Sequence, residues 1–224
     1  MQNETLARQL VAEFIGTAML LMAVVGSGIM AERLAGRNVA VALLANTIAT
    51  GAALLAIILV FAPVSGAHIN PLISMAAAVT GDMRWRDALR YIAIQIPGAL
   101  TGAALANAMF ELPVLMASTK IRTGTGQWLG EFVAAFGLVG LVIATSRRHR
   151  VFAVAAAVAA YITAAYWFTS STSFANPAVT IARSISDTFA GIRPVDVPGF
   201  IAPQILGGIA ATYLFHWLVP KRNE

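Results

Sequence analysis

The chain alternates long apolar runs with short polar links. Six runs are long enough to cross a bilayer, because a transmembrane helix needs about 20 apolar residues. They cover roughly residues 11–30, 39–61, 88–110, 130–146, 151–168 and 200–219. Two further apolar runs, which start near residues 70 and 176, are too short to span a membrane. The pattern therefore predicts an all-α membrane protein with six transmembrane helices and two half-length helices.

Both short runs begin in the same way. Each follows a polar turn and opens with an Asn-Pro step, as Asn70-Pro71-Leu72 in the first and Asn176-Pro177-Ala178 in the second. Proline suits the first position of a helix, and asparagine is among the best N-caps. We predict helix starts at Asn70 and Asn176. Capped half-helices inside an apolar chain indicate re-entrant segments whose positive N-terminal ends face a polar cavity.

Three markers recur in the same order along the chain. An early glutamate, an Asn-Pro step and a Gln-x-x-Gly segment follow one another twice, with Glu13 and Gln95 in the first copy and Glu131 and Gln204 in the second. Because each copy has three spans, an odd number, the two copies must lie in the membrane in opposite orientations. We predict one membrane domain of residues 1–224, with inverted repeats of about 8–110 and 126–220 joined by the loop 111–125.

Composition and charge narrow the class of protein. The chain is 58% hydrophobic and 11% charged, with a mean hydropathy of +0.77, which excludes an ordinary soluble domain. The formal charge of +5 comes from links between apolar runs, so it indicates membrane topology rather than nucleic-acid binding. The short turn 147–150 is rich in arginine and predicts a cytoplasmic side that also holds both termini. Cysteine is absent, which excludes disulfides and thiolate chemistry.

The predicted topology brings Asn70 and Asn176 together near the midplane. If each side-chain oxygen caps its helix, each amide NH2 is free to donate to a passing hydroxyl or water oxygen, while the two helix ends repel cations. Glu13 and Glu131 are expected to be structural, accepting hydrogen bonds from the irregular backbone before each half-helix. His68 either lines the pore entrance or satisfies carbonyls of its own loop.

These paired boxes, early glutamates and Gln-x-x-Gly segments resemble the major intrinsic protein family, the aquaporins and glycerol facilitators. The resemblance implies a bundle of six spans and two half-helices, a passive pore in each subunit, and a homotetramer in the lipid bilayer. It implies neither an enzyme nor a cofactor or metal. Leu72 replaces the usual alanine of the first box, a change that the family tolerates.

The resemblance also implies a selectivity filter beyond the asparagine pair. The family usually has arginine directly after the second box, where this chain has Val179. The family's spacing transfers the other filter positions to Thr50, Ala164 and Ser173. Such a ring has no cation, aromatic or imidazole, so we expect it to be wide and weakly polar. We therefore expect a channel for small neutral solutes, namely water and glycerol-type polyols, in a bacterial inner membrane. The ring resembles a bacterial branch associated with arsenic-resistance operons, which implies passage of metalloid hydroxyacids or their methylated forms as well.

Two alternatives for the transport function and two for Arg183 stay open. A water-selective aquaporin would leave the small filter residues unexplained, and a coupled secondary transporter would need acidic groups near the midplane. Arg183 lies one turn beyond Val179, so it is a candidate for an outer vestibule in which it attracts oxyacids. Otherwise it extends to the interface or pairs with Asp187.

Overall fold

The computed structural model describes residues 5–221, and this part of the chain forms a helical bundle. Its helices are α1 (Leu6–Leu34), α2 (Val39–Ser65), α3 (Pro71–Val79), α4 (Trp85–Met109), α5 (Thr125–Ser146), α6 (Val151–Phe168), α7 (Pro177–Arg183) and α8 (Val197–Leu218), the last preceded by a 3-10 turn, Pro194–Asp196. Six of them are long and apolar enough to cross a membrane, and α3 and α7 are the two half-helices. The predicted fold class is confirmed.

Several boundaries differ from the predicted ones. We expected the second span to end at residue 61 before Pro63, but α2 continues through Pro63 to Ser65 and ends on Gly66, whose φ is 86°. Proline inside a transmembrane helix is tolerated because neighbouring groups satisfy the freed backbone. The fourth span begins at Thr125 rather than at Gly130, and the segment between α4 and α5 covers residues 110–124.

Glycine allows the helices of each repeat to cross at backbone distance. A Cβ atom at Gly98 on α4 would lie 2.6 Å from the carbonyl oxygen of Phe14 on α1. At the equivalent place in the second repeat, a Cβ atom at Gly207 on α8 would overlap the carbonyl oxygen of Phe132 on α5. Only small residues permit such an approach. Each Gln-x-x-Gly segment therefore packs directly against the helix that carries the early glutamate.

The surface of the bundle is apolar. On α1 the exposed side chains Val11, Ile15 and Met19 follow one another at intervals of four residues and form one outward stripe. Similar exposed apolar side chains occur on α2, α4, α5, α6 and α8. Such a surface suits hydrocarbon rather than water, because contiguous exposed apolar patches are rare on soluble proteins. The protein is an integral multi-pass membrane protein.

Candidate functional site

The two half-helices begin at one point in the centre of the bundle. Asn70 is the N-cap of α3 and its Oδ1 accepts from the backbone N–H of Leu72 at 2.9 Å. Asn176 is the N-cap of α7 and its Oδ1 accepts from the N–H of Ala178 at 3.0 Å. Both asparagines are 4% exposed and line the same cavity. Two positive helix ends therefore face this cavity from opposite sides.

The two asparagines also tie the half-helices to each other. Asn70 Nδ2 donates to the carbonyl of Ala175 at 2.9 Å, and Asn176 Nδ2 donates to the carbonyl of Ile69 at 2.9 Å. We expected each amide NH2 to be free to donate, but one N–H of each amide is used in this reciprocal pair. The second N–H of each amide has no partner among residues 5–221 and is left for a solute.

A buried carboxylate holds the loop that leads to α3. Glu13 is completely buried in α1 and accepts from the backbone N–H groups of His68 and Ile69 at 2.9 and 2.7 Å. It also accepts from the Ser65 hydroxyl at 2.6 Å and from Gln95 Nε2 at 2.8 Å. A buried charge is tolerated only with such compensation. Glu13 thus fixes the first half-helix against α1 and α4.

A second carboxylate does the same for α7. Glu131 is completely buried in α5 and accepts from the backbone N–H groups of Phe174 and Ala175, both at 2.9 Å. Gln204 Nε2 on α8 donates to it at 2.5 Å and also to the Thr180 hydroxyl on α7 at 2.8 Å. The carboxylate and the glutamine therefore join the start of α7 to two spans.

The loops held by these carboxylates have an uncommon backbone conformation. In the first loop Ala67 and Ile69 have φ values of 48° and 42°, and in the second loop Ser173 and Ala175 have 48° and 47°. Non-glycine residues with positive φ are strained, at a cost of about 1–3 kcal/mol each, and persist only where the surroundings fix them. Here the hydrogen bonds to Glu13 and Glu131 supply that restraint.

A cavity of about 870 Å³ runs along the half-helices and reaches both of their far ends. The sequence-predicted residues that line it are Thr50, His68, Asn70, Ser173, Asn176, Val179 and Arg183. His68 points Nδ1 at the Ser74 hydroxyl, 3.1 Å away, rather than at a loop carbonyl. Because α3 and α7 run apart from the shared asparagine pair, the cavity has one end beside Arg183 and another beside Lys221. We call these ends the Arg183 mouth and the Lys221 mouth.

The prediction for Ala164 was wrong. Ala164 is exposed on the outside of α6, and the residue of α6 that lines the cavity at this level is Tyr166. The Tyr166 hydroxyl lies 3.4 Å from Thr50 Oγ1, and the side chain is 3% exposed. Transfer by spacing failed because a shift of two residues turns a helix by about 200°, from the cavity to the outer surface. Thr50, Tyr166, Ser173 and Val179 all line the cavity, so a filter ring formed by them would contain one aromatic side chain.

Arg183 is buried rather than exposed in an open vestibule. Its side chain is 2% exposed, its Nε donates to the carbonyl of Ala190, and its guanidinium carbon lies 3.4 Å from the ring centroid of Phe174. The pairing with Asp187 was wrong, since that carboxylate accepts from the N–H of Thr119 at 2.8 Å. The two terminal nitrogens of Arg183 have no hydrogen-bond partner within residues 5–221.

Two further cations lie near Arg183, and sequence reasoning missed both. Arg122 lies over the same Phe174 ring at 4.9 Å, and its Nε donates to the carbonyl of Gly191 at 2.7 Å. Burial, together with the charges of Arg122 and Arg183, lowers the pKa of Lys120 to about 8. Lys120 is thus protonated at neutral pH, and the surroundings of the Arg183 mouth carry three positive charges. Their loop had no pattern that linked it to the second Asn-Pro step.

The sequence profile described as "Major intrinsic protein" matches residues 1–162. Aquaglyceroporin AqpS of Rhizobium meliloti (strain 1021) is 53% identical over 219 residues, which cover 98% of this chain and 93% of that protein. Aquaporin A of Dictyostelium discoideum is 30% identical over 95% of this chain and 79% of its own. The crystal structure of the aquaglyceroporin from Plasmodium falciparum superposes with a TM-score of 0.72 at 17% identity, over 96% of this chain and 98% of that one.

Proposed function

The chain belongs to the major intrinsic protein family and is a passive membrane channel for small neutral solutes rather than an enzyme, and from this premise we propose that its pore admits solutes larger than water. These solutes are polyols of glycerol size and metalloid hydroxyacids or their methylated forms. The single observation that carries the proposal is the filter ring, in which Val179 stands where the family usually has arginine.

The chemistry of the ring supports this choice of solutes. Thr50 and Tyr166 supply two hydroxyl groups at the cavity that can donate and accept, so a polyhydroxylated solute can exchange part of its water for them. Val179 and the aromatic face of Tyr166 supply apolar surface for carbon-bound hydrogens or methyl groups. A ring with an arginine would present five fixed donors and a charge instead. The name of the Rhizobium relative, an aquaglyceroporin, supports passage of polyols as well.

The test is a comparison of fluxes through the purified protein in liposomes. Water, glycerol and neutral arsenic and antimony hydroxides are measured side by side, with protein-free liposomes as the control. We expect each solute to move down its own gradient, at a rate that a pH gradient or membrane potential does not change. Passage of water alone would establish a water-selective aquaporin, and uphill accumulation driven by protons or sodium would establish a coupled transporter.

Arg183 extends the proposal from neutral to acidic solutes. Nε and one face of its guanidinium are fixed by the Ala190 carbonyl and the Phe174 ring, while its terminal nitrogens are unpartnered at the cavity wall. A guanidinium in this state binds oxyanions bidentately. We propose that Arg183, with the positive charges of Arg122 and Lys120 behind it, draws partly ionised oxyacids into the Arg183 mouth without narrowing the filter.

Arg183→Gln tests this role. We expect flux of an acidic solute such as methylarsonate to fall about tenfold, because a charge-assisted hydrogen bond contributes about 1.5 kcal/mol, and glycerol flux to stay unchanged. The loss for the acidic solute should shrink in high salt, which screens the charge. Arg37→Gln, the same change at an exposed arginine, is the matched control. An equal loss for both solutes would assign Arg183 to packing instead.

We also propose an orientation and an assembly. The arginine-rich turn after α5 and the positive-inside rule support a cytoplasmic Lys221 mouth and cytoplasmic termini in a bacterial plasma membrane. The Rhizobium relative supports the bacterial membrane. The resemblance to the family supports a homotetramer with one pore in each subunit. Labelling of single cysteines introduced at Arg148 and at Arg37 would test the orientation, since only one of the two should react from outside intact cells.

A further inference from the structure

The Lys221 mouth is surrounded by charged side chains from three separate segments. Asp82 follows the half-helix α3, Arg147 caps the end of α5, and Lys221 lies three residues beyond the end of α8. All three line the cavity. The contacts that these three side chains make therefore lie at the wall of the cavity rather than on a remote surface.

The segment after α8 is anchored at one side of this mouth by an ion pair. Lys221 Nζ lies 2.6 Å from Asp82 Oδ1 and also donates to the carbonyl of Thr80 at 3.4 Å. Asp82 is held in turn by the Thr80 hydroxyl, which donates to Oδ2 at 2.6 Å. These hydrogen bonds and the charge of Lys221 lower the pKa of Asp82 despite its partial burial, so the carboxylate is ionised at neutral pH.

Arg147 anchors the same segment from the other side. Its NH2 lies 2.9 Å from His216 Nδ1, near the end of α8. Arg147 Nη1 donates to the carbonyl of His216 and, in a shorter contact, to the carbonyl of Val219. The chain leaves the helix at Val219, with φ −124° and ψ 78°, and reaches Asp82 two residues later. Residues 219–221 thus extend from the α5 side of the mouth to the α3 side.

We propose that residues 219–221 form a strap across the Lys221 mouth that limits the rate of solute passage. In the closed state Lys221 is paired with Asp82 and its side chain occupies part of the opening. When the pair separates, the strap swings out about Val219, and the mouth widens. Both partners have side chains that are 48% exposed. Exposed ion pairs contribute little to stability, so the strap opens readily. It therefore slows solute passage without blocking it.

Single neutralising variants provide the first test. Lys221→Gln and Asp82→Asn should each raise glycerol flux in proteoliposomes, by up to about fivefold, the range that an exposed ion pair can supply. Asp82→Lys alone and Lys221→Asp alone should raise the flux as well, and the double exchange of the two charges should return it to the wild-type rate. Arg148→Gln, at an exposed neighbour of Arg147, is the charge-matched control and should have no effect. Unchanged flux in the single variants, with normal thermal unfolding, would overturn the proposal.

A cross-link provides a second test that does not depend on the strength of the ion pair. The chain has no cysteine, so Asp82→Cys with Lys221→Cys creates a unique thiol pair. A bifunctional thiol reagent with a reducible linker should fasten the strap and lower glycerol flux, and a reductant should restore it. Each single cysteine variant, treated in the same way, is the control. Equal flux in the linked and the reduced protein would show that residues 219–221 do not obstruct the mouth.

Discussion

The two half-helix sites are built on the same frame but present different electrostatics. In both, a buried glutamate accepts two consecutive backbone N–H groups and one glutamine Nε2, through Glu13 and Gln95 in the first and Glu131 and Gln204 in the second. The loops also share the pattern of positive φ values. We call each glutamate–glutamine pair with its hydrogen bonds the frame. The frame fixes the backbone of both loops, and the remaining side chains can differ.

The difference begins with the group that satisfies the first carbonyl of each loop. The carbonyl of Ser65 accepts from the neutral Tyr91 hydroxyl at 3.0 Å, whereas that of Ser171 accepts from the cationic Arg122 NH1 at 3.2 Å. Either hydrogen bond satisfies the buried carbonyl oxygen, because a buried carbonyl needs a donor and the donor need not be charged. The frame can thus carry a positive charge in one half and none in the other.

The residue two positions before each asparagine continues this contrast. His68 contacts the Ser74 hydroxyl and packs edge-on against Tyr91, with ring centroids 5.3 Å apart. The aromatic ring centroid of Phe174, at the matching position, lies 4.9 Å from the guanidinium carbon of Arg122 and 3.4 Å from that of Arg183. The two halves therefore share one backbone geometry, and the side chains around it give them different electrostatics.

The largest expected effect comes from breaking the shared frame. Glu13→Gln and Glu131→Gln each replace an acceptor of buried N–H groups by a partly donating amide, and we expect each to lower the free energy of unfolding by about 3–5 kcal/mol. Thermal unfolding in detergent measures this, with Glu32→Gln, at an exposed position, as the control. Near-wild-type stability of either variant would show that the two frames are not equivalent.

Val179→Arg introduces the residue that the family usually has at this position. It also increases the chemical difference between the two halves, because the equivalent residue of the first half is Ile73. We expect glycerol flux to fall at least about tenfold and water flux much less, because a long cationic side chain narrows the ring. Val179→Met, long but neutral, separates the effect of charge from that of length. Unchanged glycerol flux in correctly assembled protein would remove Val179 from the constriction.

Tyr166→Ala tests the aromatic member of the ring. Removal of the phenol should widen the filter and raise glycerol flux about two- to fivefold, and the lost contact with Thr50 should cost about 1 kcal/mol of stability. Ala164→Phe is the control, since this residue faces away from the cavity and should leave flux unchanged. If Ala164→Phe changes the glycerol flux and Tyr166→Ala does not, Ala164 rather than Tyr166 belongs to the filter.

His68→Phe makes the first half resemble the second and should have the smallest effect. The substitution removes the contact between the imidazole and the Ser74 hydroxyl. We expect the free energy of unfolding to fall by about 1 kcal/mol and the glycerol flux to change little. A double-mutant cycle with Ser74→Ala measures the pair, and the two changes should be non-additive. Additive losses would mean that the Nδ1 contact contributes nothing.

Much of this arrangement was predictable because it depends on local or repeated patterns. The helix starts at Asn70 and Asn176 follow from capping preferences of adjacent residues. Ala164 was wrongly placed because the length of the connection before α7 cannot be read from periodicity, and a small error in length rotates a helical residue to another face. The burial of Arg183 and the pair of Lys221 with Asp82 depend on contacts between distant segments, which no local pattern encodes.

The reciprocal bonds between the two half-helices have a consequence for biosynthesis. Asn70 donates to a carbonyl 105 residues later, and Asn176 to one 107 residues earlier. The first re-entrant loop therefore emerges from the ribosome with its central bonds unmade and stays incomplete until more than a hundred further residues have entered the membrane. Contacts of such long range form late. Closure of the pore centre therefore cannot precede the insertion of α7, and neither half completes its central hydrogen bonds without the other.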